Sequence, residues 1–276
     1  MTIRTDLAAE VISGADISDE SGVSSQTVVN DRARLEIQRV SILSENAARE
    51  LGKPVGRYVT VRMTDSGIDS YSDVMQLRTE LIADEIRLLA EGARSILVAG
   101  LGNPAITPDA VGPLCADRVF ATRHIRQLAA ELDTGELTEV SVIRPGVLGQ
   151  TGIEASDLVK AVCSRVGADT VIAVDALACG ETENLGRTVQ LTDTGISPGS
   201  GVANSRKELS QRTLGARCIA VGIPTVIDYG TGGEAMMVTP RSVDKLVSNG
   251  AEYIAMAVNL AFQPSLSFED LRSLVD

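Results

Sequence analysis

Tryptophan is absent from this 276-residue chain, and aromatic residues of all kinds make up 3% of it, so few flat side chains are available for stacking nucleobases. Positive charge is also short: 25 Lys and Arg stand against 37 Asp and Glu, a formal net charge of −12. That balance repels a phosphate backbone, and nucleic acid is not expected as a partner. Long apolar runs are missing. No uninterrupted stretch approaches the ~20 residues that span a bilayer, and the N-terminus MTIRTDLAAE has no apolar signal core. The expectation is a cytoplasmic chain with no membrane contact.

Cysteine is scarce. Cys115, Cys163, Cys179 and Cys218 are scattered with no C-x-x-C spacing, which argues against a disulfide framework and a zinc site. Histidine is scarcer still, with His124 alone in the helix-like stretch LCADRVFATRHIRQLAAEL. A Ser-His-Asp triad, a Cys-His pair or a histidine metal cage would have to be built on that one residue. Neither a metal nor a cofactor is expected.

What is present is an ordinary globular balance, 44% hydrophobic and 22% charged, enough for a sizeable core. The first 55 residues, with helical-looking stretches such as DRARLEIQRV, read as an N-terminal extension packed on a main domain that makes residues 1–276 one unit. RYVTVRM (57–63) alternates as a half-buried strand does, and Tyr71 to Ala90 carries apolar residues at helical spacing.

The alternation that sets the fold class comes next. SILVAGLG, EVSVIRPGV and DTVIAVDAL are short apolar runs separated by amphipathic helical stretches, with RTVQLTD and ARCIAVGIP as further strands and Ser242 to Phe262 as a last long helix. Runs apolar along their whole length indicate parallel strands covered on both faces. The expected fold class is α/β, a mostly parallel central sheet with helices on both faces.

In such sheets ligands bind beyond the carboxyl ends of the strands, where loops splay apart. The loop GLGNPAITPDAVGP after the first apolar run places Gly100, Gly102, Asn103 and Asp109 there, and the run DTVIAVDAL carries Asp175 near its end. Two carboxylates sharing a low-dielectric pocket repel, so one stays protonated while the other serves as base toward a water. Asp is also a favoured helix N-cap, and position alone leaves both readings open. The glycine turn suggests nucleotide binding by a non-catalytic module, but G-x-G-x-x-G spacing is not met, and Arg144 and Pro145 stand where a ribose-binding acid belongs.

Several strings resemble one family, the germination protease of spore-forming bacteria. They are IRTDLAAE, GLGNPAITPDAVGP, RPGVLGQTGIEASDLVK, VIAVDALA, QLTDTGISPGSGVANSRKELS and VGIPTVID, which cover most of the chain in the family's order. The resemblance implies an atypical aspartic endopeptidase, related in fold to hydrogenase-maturation endopeptidases, whose nickel-binding histidine has no match here. It implies Asp109 and Asp175 as the catalytic pair, with Gly100, Gly102 and Asn103 as oxyanion or positioning contacts. Gly199, Gly201 and Asn204 would meet an extended peptide on a loop oriented by Asp193, while Arg206 and Lys207 would attract acidic substrate segments.

The implied substrates are small acid-soluble spore proteins, cut after glutamate in the spore core by a homo-oligomer, a tetramer in the family. Family members carry a pro-segment before the Arg-Thr-Asp-Leu-Ala string and a long insertion between VIDYGTGG and EAMMVTP. Here Met1 to Ile3 precede the string and a few residues form the link, so zymogen control and substrate access are expected to differ.

Overall fold

The computed structural model describes residues 5–12, 22–65, 67–68, 73–128, 137–199, 206–231 and 234–275. Among the described residues nine strands form one sheet: β1 (Val23–Asn30), β2 (Leu35–Ile42), β3 (Gly56–Met63), β4 (Ser95–Gly100), β5 (Glu139–Ile143), β6 (Thr170–Cys179), β7 (Thr188–Thr192), β8 (Arg217–Thr231) and β9 (Glu234–Val238). Their order is β1-β2-β3-β7-β8-β6-β4-β5, with β9 paired to the far end of β8.

The α/β architecture matches the sequence expectation, but its parallel part has a limit. The strands β5, β4, β6 and β8 pair in parallel, whereas every pairing from β8 outward through β7, β3, β2 and β1 is antiparallel. The N-terminal segment accounts for much of this. DRARLEIQRV is not a helix: Asp31–Arg34 form a turn and Leu35 onward runs as β2, so residues 23–42 extend the sheet as a hairpin. Both of its faces are used, with Leu35 and Ile37 in one core and Val40 and Ile42 in another. The period-two alternation therefore wins over helix propensity.

Helices cover both faces. Against Ile96, Val98, Ile172 and Val174 pack α3 (Met75–Leu89), α4 (Val111–Ala116), α9 (Val243–Phe262) and α10 (Phe268–Val275). Against the opposite side chains, Leu97, Ala99, Val171 and Ala173, pack α7 (Ala155–Val166) and α8 (Gln211–Leu214). Further along that second face, α1 (Ala8–Ile12) and α2 (Glu45–Leu51) cover Val40, Ile42 and Tyr58.

The stretch expected as one helix after the glycine loop is two, α4 and α5 (Arg123–Leu128), and its continuation over 129–136 lies outside the described residues. Asn259 of α9 is the reason for the break. Its side chain accepts the Phe120 N–H at 2.8 Å and donates to the Arg118 carbonyl at 3.0 Å, supplying partners a continuous helix would have found internally.

Candidate active site

The strand order places the site. From β4 the chain moves to β5 on one side and then to β6 on the other, so the loops after β4 and β6 diverge and leave a crevice. β4 pairs with β6 only as far as Gly100 and Val174, and the Leu101 N–H donates to the Val174 carbonyl at 2.8 Å. Asp175 is thus the first residue of β6 beyond the end of its neighbour, with its side chain on the face of α7 and α1. Across β8 its partner is Gly222, which has no side chain to fill the space.

Asp109 reaches the same crevice from the loop after β4, at the end of a 3-10 turn over Thr107–Asp109. Two glycines make that approach possible. Gly102 has φ +111°, and a Cβ there would lie 2.1 Å from the Asp109 carbonyl oxygen. Gly112, in the first turn of α4, sits so close to the sheet that a Cβ would lie 2.2 Å from the Leu101 carbonyl oxygen and 2.4 Å from that of Val174. The Thr225 hydroxyl, donating to the Pro108 carbonyl at 2.7 Å, ties the loop to β8.

Asp109 and Asp175 line one cavity of about 390 Å³, with Gly102, Asn103, Ile106 and Pro108 among its other walls. Their environments differ. Asp175 is 4% exposed, and burial first, then repulsion from Asp109, holds its carboxyl well above the usual carboxylate range, only partly opposed by the Ala176 N–H on Oδ1 at 2.9 Å. Burial also raises Asp109, but Oδ2 accepts the Asn103 N–H at 2.8 Å, which favours its ionised form.

The model of the germination protease family matches residues 6–232. The chain belongs to the germination protease family. It is 32% identical to the germination protease of Clostridium tetani over 329 aligned positions, covering 100% of both chains. It is 39% identical to that of Bacillus cereus strain G9842 over 259 positions, covering 90% of this chain and 68% of the relative. A NiFe hydrogenase maturation protease from Thermococcus kodakarensis overlaps 63% of this chain and 98% of its own, at 19% identity and a TM-score of 0.37.

Of the remaining residues expected at the site, Gly102, Asn103 and Gly199 line the cavity, as do Arg206 and Lys207. Lys207 is already paired with Asp157 at 2.9 Å. Gly201 and Asn204 lie outside the described residues. Two further residues named from the sequence lie outside the cavity wall. Gly100 is not in the cavity wall; it lies within β4 facing α4, where a Cβ would come 2.2 Å from the Gly112 carbonyl oxygen. Asp193, expected to orient the loop that carries Gly199, is not part of the wall itself. Its carboxylate accepts the Arg57 backbone N–H and Nε, each at 2.7 Å, and so joins the end of β7 to β3.

Sequence reasoning missed Asp6, which lines the same cavity. Its N–H donates to the Ala178 carbonyl at 3.0 Å and its Oδ2 accepts the Ala178 N–H at 2.9 Å, while Lys53 Nζ donates to its carbonyl at 3.0 Å. Glu10 accepts the N–H groups of Gly180 and Glu181 and the side-chain amide of Asn184. Residues 5–10 therefore strap the end of β6, and Asp6 adds to Asp109 a second negative charge that raises Asp175. Nothing in its sequence spacing signals this.

Among the described residues no three His, Cys, Asp or Glu side chains come together as a metal ligand set. None of the described helices is long and apolar enough to cross a membrane. Burial pushes the thiols of Cys115, Cys179 and Cys218 up to about 12, so they stand as thiols and not as nucleophiles. His124 is exposed on α5.

Proposed function

We propose that the chain is an aspartic-type endopeptidase that degrades small acid-soluble spore proteins during germination, with Asp109 and Asp175 activating a water. The observation that supports this reading is the pair of carboxyls lining one cavity in unequal environments. The deeper Asp175 carries the proton and Asp109 is the carboxylate, although the two titrate as a pair.

Asp109 takes a proton from the water as the water oxygen adds to the scissile carbonyl carbon. The Asp175 proton passes to the carbonyl oxygen, giving a neutral tetrahedral intermediate. On collapse the C–N bond breaks, the proton on Asp109 goes to the leaving nitrogen, and Asp175 recovers its own as the carbonyl re-forms. Arg206, on the cavity wall, is placed to hold an acidic substrate segment. The enzyme acts in the spore core as a homo-oligomer on this reading.

The test is cleavage of a purified small acid-soluble spore protein by wild type, Asp109→Asn and Asp175→Asn, followed by mass spectrometry. Each variant is expected to lose at least about 100-fold in kcat, the scale of general acid–base catalysis. Cleavage retained in both sinks the mechanism.

A further inference from the structure

The side chain of Asn103 is held at one end and free at the other. Its Oδ1 accepts the backbone N–H of Ala105 at 2.9 Å, a donor that admits no alternative assignment, so the oxygen end of the amide is the end turned to that N–H. Gln150 Nε2 then donates to the same oxygen at 2.7 Å, which occupies both of its acceptor positions. No hydrogen bond from Asn103 Nδ2 to an acceptor is found among the described residues, and Asn103 lines the cavity with Asp109 and Asp175. The same residue grips Asp109 through its backbone N–H at 2.8 Å.

Gln150 lies on α6 (Leu148–Thr151), a single turn whose Leu148 and Gly149, with Val147 just before them, form part of the cavity wall. Its contact with Asn103 joins this wall to the loop after β4, across 47 residues of sequence. An exposed glutamine is ordinarily solvated, whereas here its amide is directed at the residue that grips the base.

We propose that Gln150 is a positioning residue: it clamps the Asn103 carboxamide so that Nδ2 faces the substrate carbonyl oxygen and stabilises the partial negative charge that builds there in the transition state, before the Asp175 proton has fully passed to it. This rests on the two-aspartate reading. A donor pre-set in this way needs no reorganisation as charge builds up, which is why such donors act on kcat more than on KM. Gln150 touches no reacting atom and works only through Asn103.

The experiment is a double-mutant cycle on the full chain with a small acid-soluble spore protein as substrate. Asn103→Ala is expected to lower kcat about 100-fold, the scale of losing one oxyanion donor. Gln150→Ala should lower kcat about tenfold with KM changed less than about twofold, and Gln150→Glu, which keeps the length but turns the donor into an acceptor, by at least as much. In the Asn103→Ala background, Gln150→Ala should have no further effect. An equal loss in both backgrounds, or unchanged kcat in both Gln150 variants with melting temperatures at the wild-type value, overturns the clamp. Asp109→Asn and Asp175→Asn run alongside: if they keep activity the two-aspartate reading fails, and if they lose it while Gln150 is silent only the clamp fails.

Discussion

A carboxyl group buried as deeply as that of Asp175 is more stable neutral than charged, and this ties catalysis to stability. The unfolded chain ionises this group near pH ~3.9 while the folded chain keeps its proton to a higher pH. Across that window the native state binds more protons, so the contribution of this residue to stability falls as pH rises, by up to about 1.4 kcal/mol per pH unit. It levels off once pH passes the raised native value. Asn at this position keeps an oxygen for the Ala176 N–H and has no charge to desolvate. Asp175→Asn is therefore expected to melt above wild type at neutral pH, with the gap widening from about pH 4 upward, while losing activity. Calorimetry over a pH series checks this; a variant that melts below wild type at pH 7 would show that Asp175 is not held neutral.

At the scale of elements, the site depends on how closely α4 approaches the sheet. The contact between Gly112 and the carbonyls of Leu101 and Val174 leaves no room for a methyl group. Gly112→Ala should push the helix and the preceding turn outward, and Asp109 with them. Overpacking of this kind costs about 1–3 kcal/mol. The expected result is a lower urea midpoint with an unchanged m-value, together with a fall in kcat larger than the stability loss explains. An active variant of wild-type stability would mean that the approach is looser than described. A second tie between elements is Arg78 of α3, fully buried, which donates to the carbonyls of Ala33, Arg34 and Gly67 and to Asp65 at 2.6 Å. It anchors the β1–β2 turn to the helix layer.

On the scale of the whole molecule, one hydrophobic cluster runs from Leu35 and Ile37 of the hairpin through Val61 and Val98 to Met256 and Phe262 of α9. The antiparallel and parallel halves of the sheet therefore share their main core. A chain built this way should unfold in a single transition, with equal calorimetric and van't Hoff enthalpies. Two separate transitions would identify the N-terminal hairpin as an independent unit.

Much of the parallel half was legible in the sequence, because continuous apolar runs and amphipathic helices are local patterns that only a sheet covered on both faces satisfies. The strings GLGN…TPD and AVDALA likewise exposed Asp109 and Asp175 as acids near strand ends. In the antiparallel half RYVTVRM and RTVQLTD read as strands, but the β1–β2 hairpin was not legible. Leu35, Ile37, Val40 and Ile42 suit a strand only when both faces are covered, and what covers them lies elsewhere in the chain. The same holds for Asp193, whose partner is Arg57, for Asp6, bound to Ala178, and for Gln150, bound to Asn103. The sequence by itself determined which side chains could carry the chemistry. Only the tertiary structure decided that Asp175 is buried and Asp109 less so, because burial and the repulsion between two charges depend on what lies around them in space.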